Sequence, residues 1–348
     1  MNHIKIAVIR IRGHELFGKY TDAINRLREL GEVSEIRFNE IPNQYFLARS
    51  LRGYGIVITE PMAPIFGEEF FELNNDVKMI YVSGRGYDNI NVSSANKAGV
   101  LVARVPGFCE AEAVAEYTVA LLLMTLRKIR LASKYVESGD WFRRGYLVKE
   151  FMSRRLSDLV IGVIGFGWIG SRVAEILSRG FGVKRILVHD PYIPELLVRD
   201  RGFIYVRDLR ELLSEADAIL IHADLNQETY HMISRKEFEL MKNNVVIVNT
   251  ARGAIIDTEA LVEFLRNGKV TGAGLDVIVN EPIDKNHPLL QFDNVVVTPH
   301  VAFDTIDAIE CIDNAVVEGV KSFLLGQEVV ETVAPERYSS TRFKRPYA

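Results

Sequence analysis

The chain is poor in cysteine, tryptophan and glutamine: 348 residues include two Cys, two Trp and four Gln, at 44, 227, 291 and 327. Cys109 and Cys311 lie far apart in sequence and without metal-ligand spacing, which points to a reducing compartment and to two small buried apolar side chains. Scarce glutamine is a composition met in thermophile proteins. Excess charge of one sign is also missing: the net charge is −4 and the pI about 6.0, which gives no electrostatic case for nucleic acid or an anionic membrane. The longest apolar run, VALLLM at 119–124, is far too short to span a bilayer. Met1 leads directly into the strand-like HIKIAVIR without signal-peptide design, so a soluble, cytoplasmic protein is expected. No solenoid-period repeat or low-complexity segment occurs.

What is present is ample apolar content, 48% of residues, in a chain long enough for about two domains. The first hundred residues alternate short apolar runs (IKIAVIR, SEIRF, YGIVITE, KMIYVS, GVLVAR) with helical stretches around AINRLREL and GEEFFELN. Such alternation predicts a parallel sheet with crossover helices. After Pro106 and Gly107, EAEAVAEYTVALLLMTLRKIRLASKYVE predicts one long helix, apolar over most of its circumference and therefore buried on several sides. A second alternation runs to His300, then IDAIECIDNAVVEGVKSFLLG predicts an amphipathic helix, and 328–348 reads as irregular.

The apolar run LVIGVI meets Gly165, Phe166, Gly167, Trp168, Ile169 and Gly170 before the helical SRVAEILSRGF, and the next run, RILVHD, closes on Asp190. Strand, glycines, helix, second strand and terminal acid in one unit make a dinucleotide fingerprint. Gly165 permits the tight turn, Gly167 lets backbone approach a pyrophosphate, and Gly170 lets helix pack on strand. The helix N-terminus offers free N–H groups to the anion. Asp190 can accept both ribose hydroxyls and would repel a 2′-phosphate, which favours NAD over NADP.

Three later strand-like runs each deliver a polar residue past their carboxyl ends: VVIVNT leads to Arg252, GAGLDVIV to Glu281, and VVVTPH ends at His300. Ligands bind outside the carboxyl ends of strands in wound α/β sheets, so this trio suggests anion capture with acid/base chemistry. His222 and His231 have no second ligand at helical or CxxC-like spacing, so no metal site is expected. The basic groups Arg143, Arg144, Arg154, Arg155 and Arg337, Arg342, Lys344, Arg345 read as solvated faces.

Taken in order, SGRGYDNI (83–90), PGFCEAEAVAEYTVALLL (106–123), GFGWIG (165–170), HDPY (189–192), NTARGAIIDTEAL (249–261), GLDVIVNEP (274–282) and TPHVAFDT (298–305) resemble the D-isomer-specific 2-hydroxyacid dehydrogenases. The resemblance implies an α/β chain of two Rossmann-like or flavodoxin-like domains with parallel sheets. Residues 1–106 and 301–348 would form a split substrate domain, and 107–300 an inserted NAD-binding domain, with the two crossings acting as a hinge. It also implies a homodimer through the helix starting near Glu110. Arg252, Glu281 and His300 match the catalytic positions of the family. Asp276 matches the partner of the nicotinamide carboxamide, and Trp168, Ile169, Ala223, Thr229, Thr250 and Ala251 match positions that line the cofactor. The loop Gly84, Arg85, Gly86, with Arg252, would bind the substrate carboxylate.

Two departures stand out: His222, Ala223, Asp224, Leu225 lacks the proline of the LHxPLT-like segment, and the substrate loop carries Arg85 at a position often small or apolar. Asp224 could alter the loop near the nicotinamide ribose or face solvent. Arg85 could read an anionic or heavily hydroxylated substrate, or point outward and offer only its amide, whereas Phe303 suggests an apolar substrate tail. Formate dehydrogenases of the same superfamily carry Gln where Glu281 stands, so that activity fits poorly. A different class of function on the same fold is an NAD(H)-sensing, corepressor-like regulator.

Overall fold

The computed structural model describes residues 4–139, 141 and 151–333, apart from 14 and 62. Arg143, Arg144 and the basic residues from Arg337 onward lie outside the described residues. The chain divides into two compact units: unit 1 comprises Met1–Glu110 and Asp304–Ala348, and unit 2 comprises Ala111–Phe303. Unit 2 is thus inserted in sequence between the two segments of unit 1.

Unit 1 begins with β1 (Lys5–Ile11), β2 (Glu32–Phe38), β3 (Ile56–Thr59), β4 (Met79–Val82) and β5 (Leu101–Arg104). All five pair in parallel. β3 and β4 are buried along their whole length, as expected of central parallel strands covered on both faces. Their short apolar runs give the sequence no polar alternation, which is why they read cleanly as strands.

Unit 2 holds β6 (Val160–Ile164), β7 (Arg185–His189), β8 (Ile204–Tyr205), β9 (Ala218–Ile221), β10 (Val245–Asn249), β11 (Val270–Leu275) and β12 (Val295–Val297). Their order is β12-β11-β10-β9-β6-β7-β8, with every pairing parallel. One face is covered by Leu212, Phe238, Leu261 and Leu265, and the other by Leu122, Val173 and Leu177, so helices clothe both sides. The strand order reverses between β6 and β9, the place where α/β sheets open a ligand crevice. The expectation of an α/β chain with two mostly parallel sheets holds.

The chain returns to unit 1 through the helix Ile306–Leu324 and ends its described part on β13 (Thr332–Val333), antiparallel to β5. The segment expected to be irregular therefore contributes an edge strand. Two residues are too few to show a period, so sequence alone does not reveal it.

The single long helix expected after Gly107 is two helices, Phe108–Leu126 and Ile129–Glu137, broken where Lys128 adopts a left-handed conformation at φ 53°. Ala115, Val119, Leu121 and Leu122 of the first helix enter the unit 2 core. Glycines of β11 make the close approach possible: a Cβ on Gly272 would lie 2.5 Å from Thr125, and one on Gly274 would lie 3.1 Å from Leu121.

The cysteine expectation is corrected. Cys109 and Cys311 form a disulfide within unit 1, across a sequence separation of 202. Spacing along the chain could not show this, because the insertion of unit 2 is what separates two residues that the fold joins. The argument for a reducing compartment falls with it. Among the described residues no helix is long and apolar enough to cross a membrane. Replacing Cys311 by Ser is expected to cost on the order of 2–4 kcal/mol of stability, read by denaturant unfolding under oxidising conditions. The reduced parent protein should then unfold like the variant, whereas equal stability of all three forms would show that the crosslink contributes nothing.

Candidate active site

In unit 2 the loop after β6 is shaped by its glycines. Gly165 has φ 89°, and a Cβ there would lie 2.7 Å from the His222 carbonyl carbon, so the loops ending β6 and β9 sit back to back. A Cβ on Gly170 would lie 2.0 Å from the Gly165 oxygen. Gly167, the N-cap of the helix Trp168–Phe181, has nothing within 4 Å of a built Cβ, so its backbone faces open space at the positive end of a 14-residue helix. This cradle fits a dinucleotide pyrophosphate. Asp190, 3% exposed at the end of β7, accepts the Phe166 N–H at 2.8 Å and the Tyr192 N–H at 2.9 Å. It thereby ties the glycine loop to the neighbouring strand, and a carboxylate with two acceptor oxygens keeps capacity for ribose hydroxyls.

The segment after β9 is held by Thr229, whose hydroxyl donates to the Asp224 carbonyl at 2.7 Å and accepts the Asn226 N–H at 2.8 Å. Asp224 thus contributes its backbone to this turn. The ring nitrogens of His222 are buried without a hydrogen-bond partner, and burial pushes the imidazole down to about 3, so it stays neutral. Thr250 shares a 2.8 Å hydroxyl contact with Thr118. Asn249, 1% exposed, accepts the Ala251 N–H at 3.0 Å and donates to the Arg252 carbonyl at 2.9 Å. This clamp fixes the turn carrying Thr250, Ala251 and Arg252.

The structure brings Arg252, Glu281 and His300 together. Gly253 lets two loops touch: a Cβ there would lie 2.2 Å from the Ile278 carbonyl carbon, so the backbone after Arg252 packs directly on the loop leading to Glu281. The Glu281 carboxylate accepts the Ile278 N–H at 2.7 Å through Oε1 and contacts His300 Nδ1 at 2.8 Å through Oε2. Burial pushes the Glu281 carboxyl up, but the hydrogen bond and charge of His300, the Ile278 N–H and the Arg252 charge prevail and hold it below the usual carboxylate range. The result is an anchored anion, an imidazole fixed through Nδ1 with Nε2 left for other work, and a neighbouring guanidinium.

The strand expected over GAGLDVIV stops at Leu275, because Asp276 turns to organise the histidine loop. Asp276 is 1% exposed. Its Oδ1 accepts the Thr298 hydroxyl at 2.6 Å and the Val301 N–H at 3.0 Å, and its Oδ2 accepts the Ala302 N–H at 2.9 Å. Its carbonyl accepts the His300 N–H at 2.9 Å. These bonds hold His300 at φ 58°. Asn249, Thr298 and the bracing action of Asp276 were not singled out from sequence. The only available signal was that each lies within a few residues of a strand end.

In unit 1 the loop Ser83–Gly86 follows β4. Ser83 N–H donates to the Thr59 carbonyl at 2.8 Å, and Val105 N–H donates to the Gly84 carbonyl at 3.2 Å. The Arg85 side chain neither points outward nor stands ready for a ligand: Nη1 donates to Glu331 Oε2 at 3.0 Å and to the Val105 carbonyl at 3.2 Å.

A family model described as the NAD binding domain of D-isomer specific 2-hydroxyacid dehydrogenases matches residues 119–302, more than half of the chain. The chain belongs to this family. Unit 2 is accordingly a nicotinamide-dinucleotide-binding domain. The D-3-phosphoglycerate dehydrogenase of Methanocaldococcus jannaschii is 36% identical over 314 residues, covering 90% of this chain and 57% of that protein. The glyoxylate reductase of Aeropyrum pernix is 42% identical over 222 residues, covering 63% and 65%. The chain thus spans less than two thirds of the length of both relatives. Among solved structures, the D-lactate dehydrogenase of Aquifex aeolicus complexed with NAD and lactic acid superposes with a TM-score of 0.78 at 29% identity, covering 92% of this chain and 96% of that one.

Proposed function

We propose that this member of the family is an NAD-dependent oxidoreductase that interconverts a 2-oxoacid and its D-2-hydroxyacid. The observation that carries the reading is the Glu281–His300 contact of 2.8 Å beside the charge of Arg252. Arg252, whose Nη1 donates to the Ala251 carbonyl at 2.7 Å, carries a planar guanidinium that would also meet a carboxylate, a charge-assisted contact worth on the order of 1.5–3 kcal/mol. The loop Gly84, Arg85, Gly86 adds backbone N–H groups to carboxylate binding. Glu281 fixes the tautomer and orientation of His300 through Nδ1, so His300 donates a proton from Nε2 to the substrate oxygen during reduction and recovers it during oxidation. The bound nicotinamide supplies or accepts the hydride. Gly165, Gly167, Trp168, Ile169, Gly170, Ala223, Thr229, Thr250, Ala251 and Asp276 form its cradle, and the negative charge of Asp190 disfavours a 2′-phosphate, so NADH is expected to bind more tightly than NADPH.

A homodimer through the helix that starts near Glu110, Phe108–Leu126, belongs to the same proposal, extended to the helix that follows it. The helix Ile129–Glu137 buries none of its own residues, and Ile129 and Val136 are about half exposed, an apolar stripe that a second copy would cover.

The test is NADH oxidation, in parallel with NADPH, against glyoxylate, hydroxypyruvate, pyruvate, phenylpyruvate, 2-oxoisocaproate and 3-phosphohydroxypyruvate. Turnover of at least one with NADH preferred supports the proposal. Tight NADH binding with no turnover on any of them would instead favour the NAD(H)-sensing regulator.

A further inference from the structure

The substrate loop of unit 1 is braced by a charge cluster whose members come from three separate stretches of the chain. Arg85 lies in the loop, Arg104 is the last residue of β5, and Glu331 immediately precedes β13. The two residues of the ion pair are 246 positions apart. Their side chains are 16% and 24% exposed, partly shielded from the screening that makes surface pairs weak. Arg104 Nε approaches the same Glu331 oxygen at 4.0 Å, and its guanidinium lies over the Tyr87 ring at 4.8 Å. The Arg104 N–H donates to the Glu331 carbonyl at 3.2 Å, so β13 holds Glu331 at the rim of the sheet through backbone as well as side chain.

The second bond of Arg104 has a direct consequence for the loop. Its Nη1 donates to the Arg85 carbonyl at 3.2 Å. In a trans peptide the next N–H points opposite to that carbonyl, so pinning the Arg85 oxygen also fixes the direction of the Gly86 N–H. Gly84 is equally constrained, because a Cβ there would lie 2.7 Å from Pro61 Cγ. The Arg85 fork is drawn toward Glu331.

From this arrangement we infer that Glu331 is a positioning and specificity residue: by holding Arg85 and Arg104 it makes the Gly84–Gly86 loop a receptor for a single carboxylate, and directs the protein toward small monoanionic 2-oxoacids rather than phosphate-bearing ones. The inference rests on the reading that this loop takes the substrate carboxylate. Releasing Arg85 would give the loop a second cation able to meet a second negative charge on the substrate. The position of Glu331 immediately before β13, which pairs with β5, explains why a residue so distant in sequence selects the ligand.

The experiment compares kcat/KM for glyoxylate and for 3-phosphohydroxypyruvate in the full chain, in Glu331→Gln, and in Glu331→Gln combined with Arg85→Gln. The parent protein should favour glyoxylate. Glu331→Gln should move the ratio toward the phosphorylated substrate by about tenfold, the scale of one charge-assisted contact, mainly through KM. The added Arg85→Gln change should move it back, a reversal that mere loosening of the fold would not produce. NADH affinity should stay constant throughout. A ratio unmoved by Glu331→Gln, or not restored in the double variant, overturns the inference. Gly84→Ala separates its failure from that of the underlying reading: if its steric conflict leaves KM for every oxoacid unchanged, the loop is not the carboxylate anchor, whereas a raised KM there beside an unmoved ratio in Glu331→Gln rejects the role of Glu331 alone.

Discussion

His300→Asn is expected to lower the rate of 2-oxoacid reduction by about 10²–10⁴-fold, the usual contribution of a positioned general acid, while NADH binds as in the parent protein. Asparagine is the informative replacement. His300 has φ 58°, a left-handed conformation that asparagine tolerates better than alanine, so the variant tests proton transfer rather than backbone strain. The loop bonds that Asp276 makes to Val301 and Ala302 use backbone N–H groups and survive the change. Transient kinetics with NADH and the best oxoacid of the panel should show the loss in the chemical step. A variant that reduces substrate at the parent rate would mean that the proton comes from elsewhere.

Glu281→Gln should have the next largest effect, a fall of about 10²-fold near neutral pH. Glu281 is held below the usual carboxylate range and is therefore ionised wherever reduction is measured near neutrality. Glutamine keeps the shape and can still accept the Ile278 N–H, but it removes the negative charge that meets Nδ1 of His300. A variant that reduces substrate at the parent rate near neutral pH would show that this charge takes no part in the reaction.

Both predictions rest on groups that could be read before any coordinates. Arg252, Glu281 and His300 were legible because parallel strands buried on both faces are continuous apolar runs, and the chemistry of such sheets sits where those runs end. The glycine loop was legible because turn, close approach and helix packing each demand a residue without Cβ, and Asp190 closes the next strand. What the sequence does not reveal depends on approaches between distant segments. The Cys109–Cys311 bond and the Arg85–Glu331 pair both join residues on opposite sides of the inserted unit in the sequence. No local pattern encodes either one. The break at Lys128 was hidden for a different reason: its sequence neighbours continue a helical pattern, and the left-handed turn is a property of one residue. The family position of Asp276 implies a cofactor contact, while its carboxylate braces the histidine loop, a use that sequence spacing does not distinguish.

Hydride transfer with D stereochemistry and His300 as proton donor is tested most directly by chiral analysis of the product when the protein oxidises NADH in the presence of a 2-oxoacid whose reduction creates a stereocentre, such as pyruvate or hydroxypyruvate. One D-2-hydroxyacid should form per NADH oxidised, with formation slowed about 10²–10⁴-fold in His300→Asn. An L product, or D product formed undiminished by the variant, would contradict this mechanism.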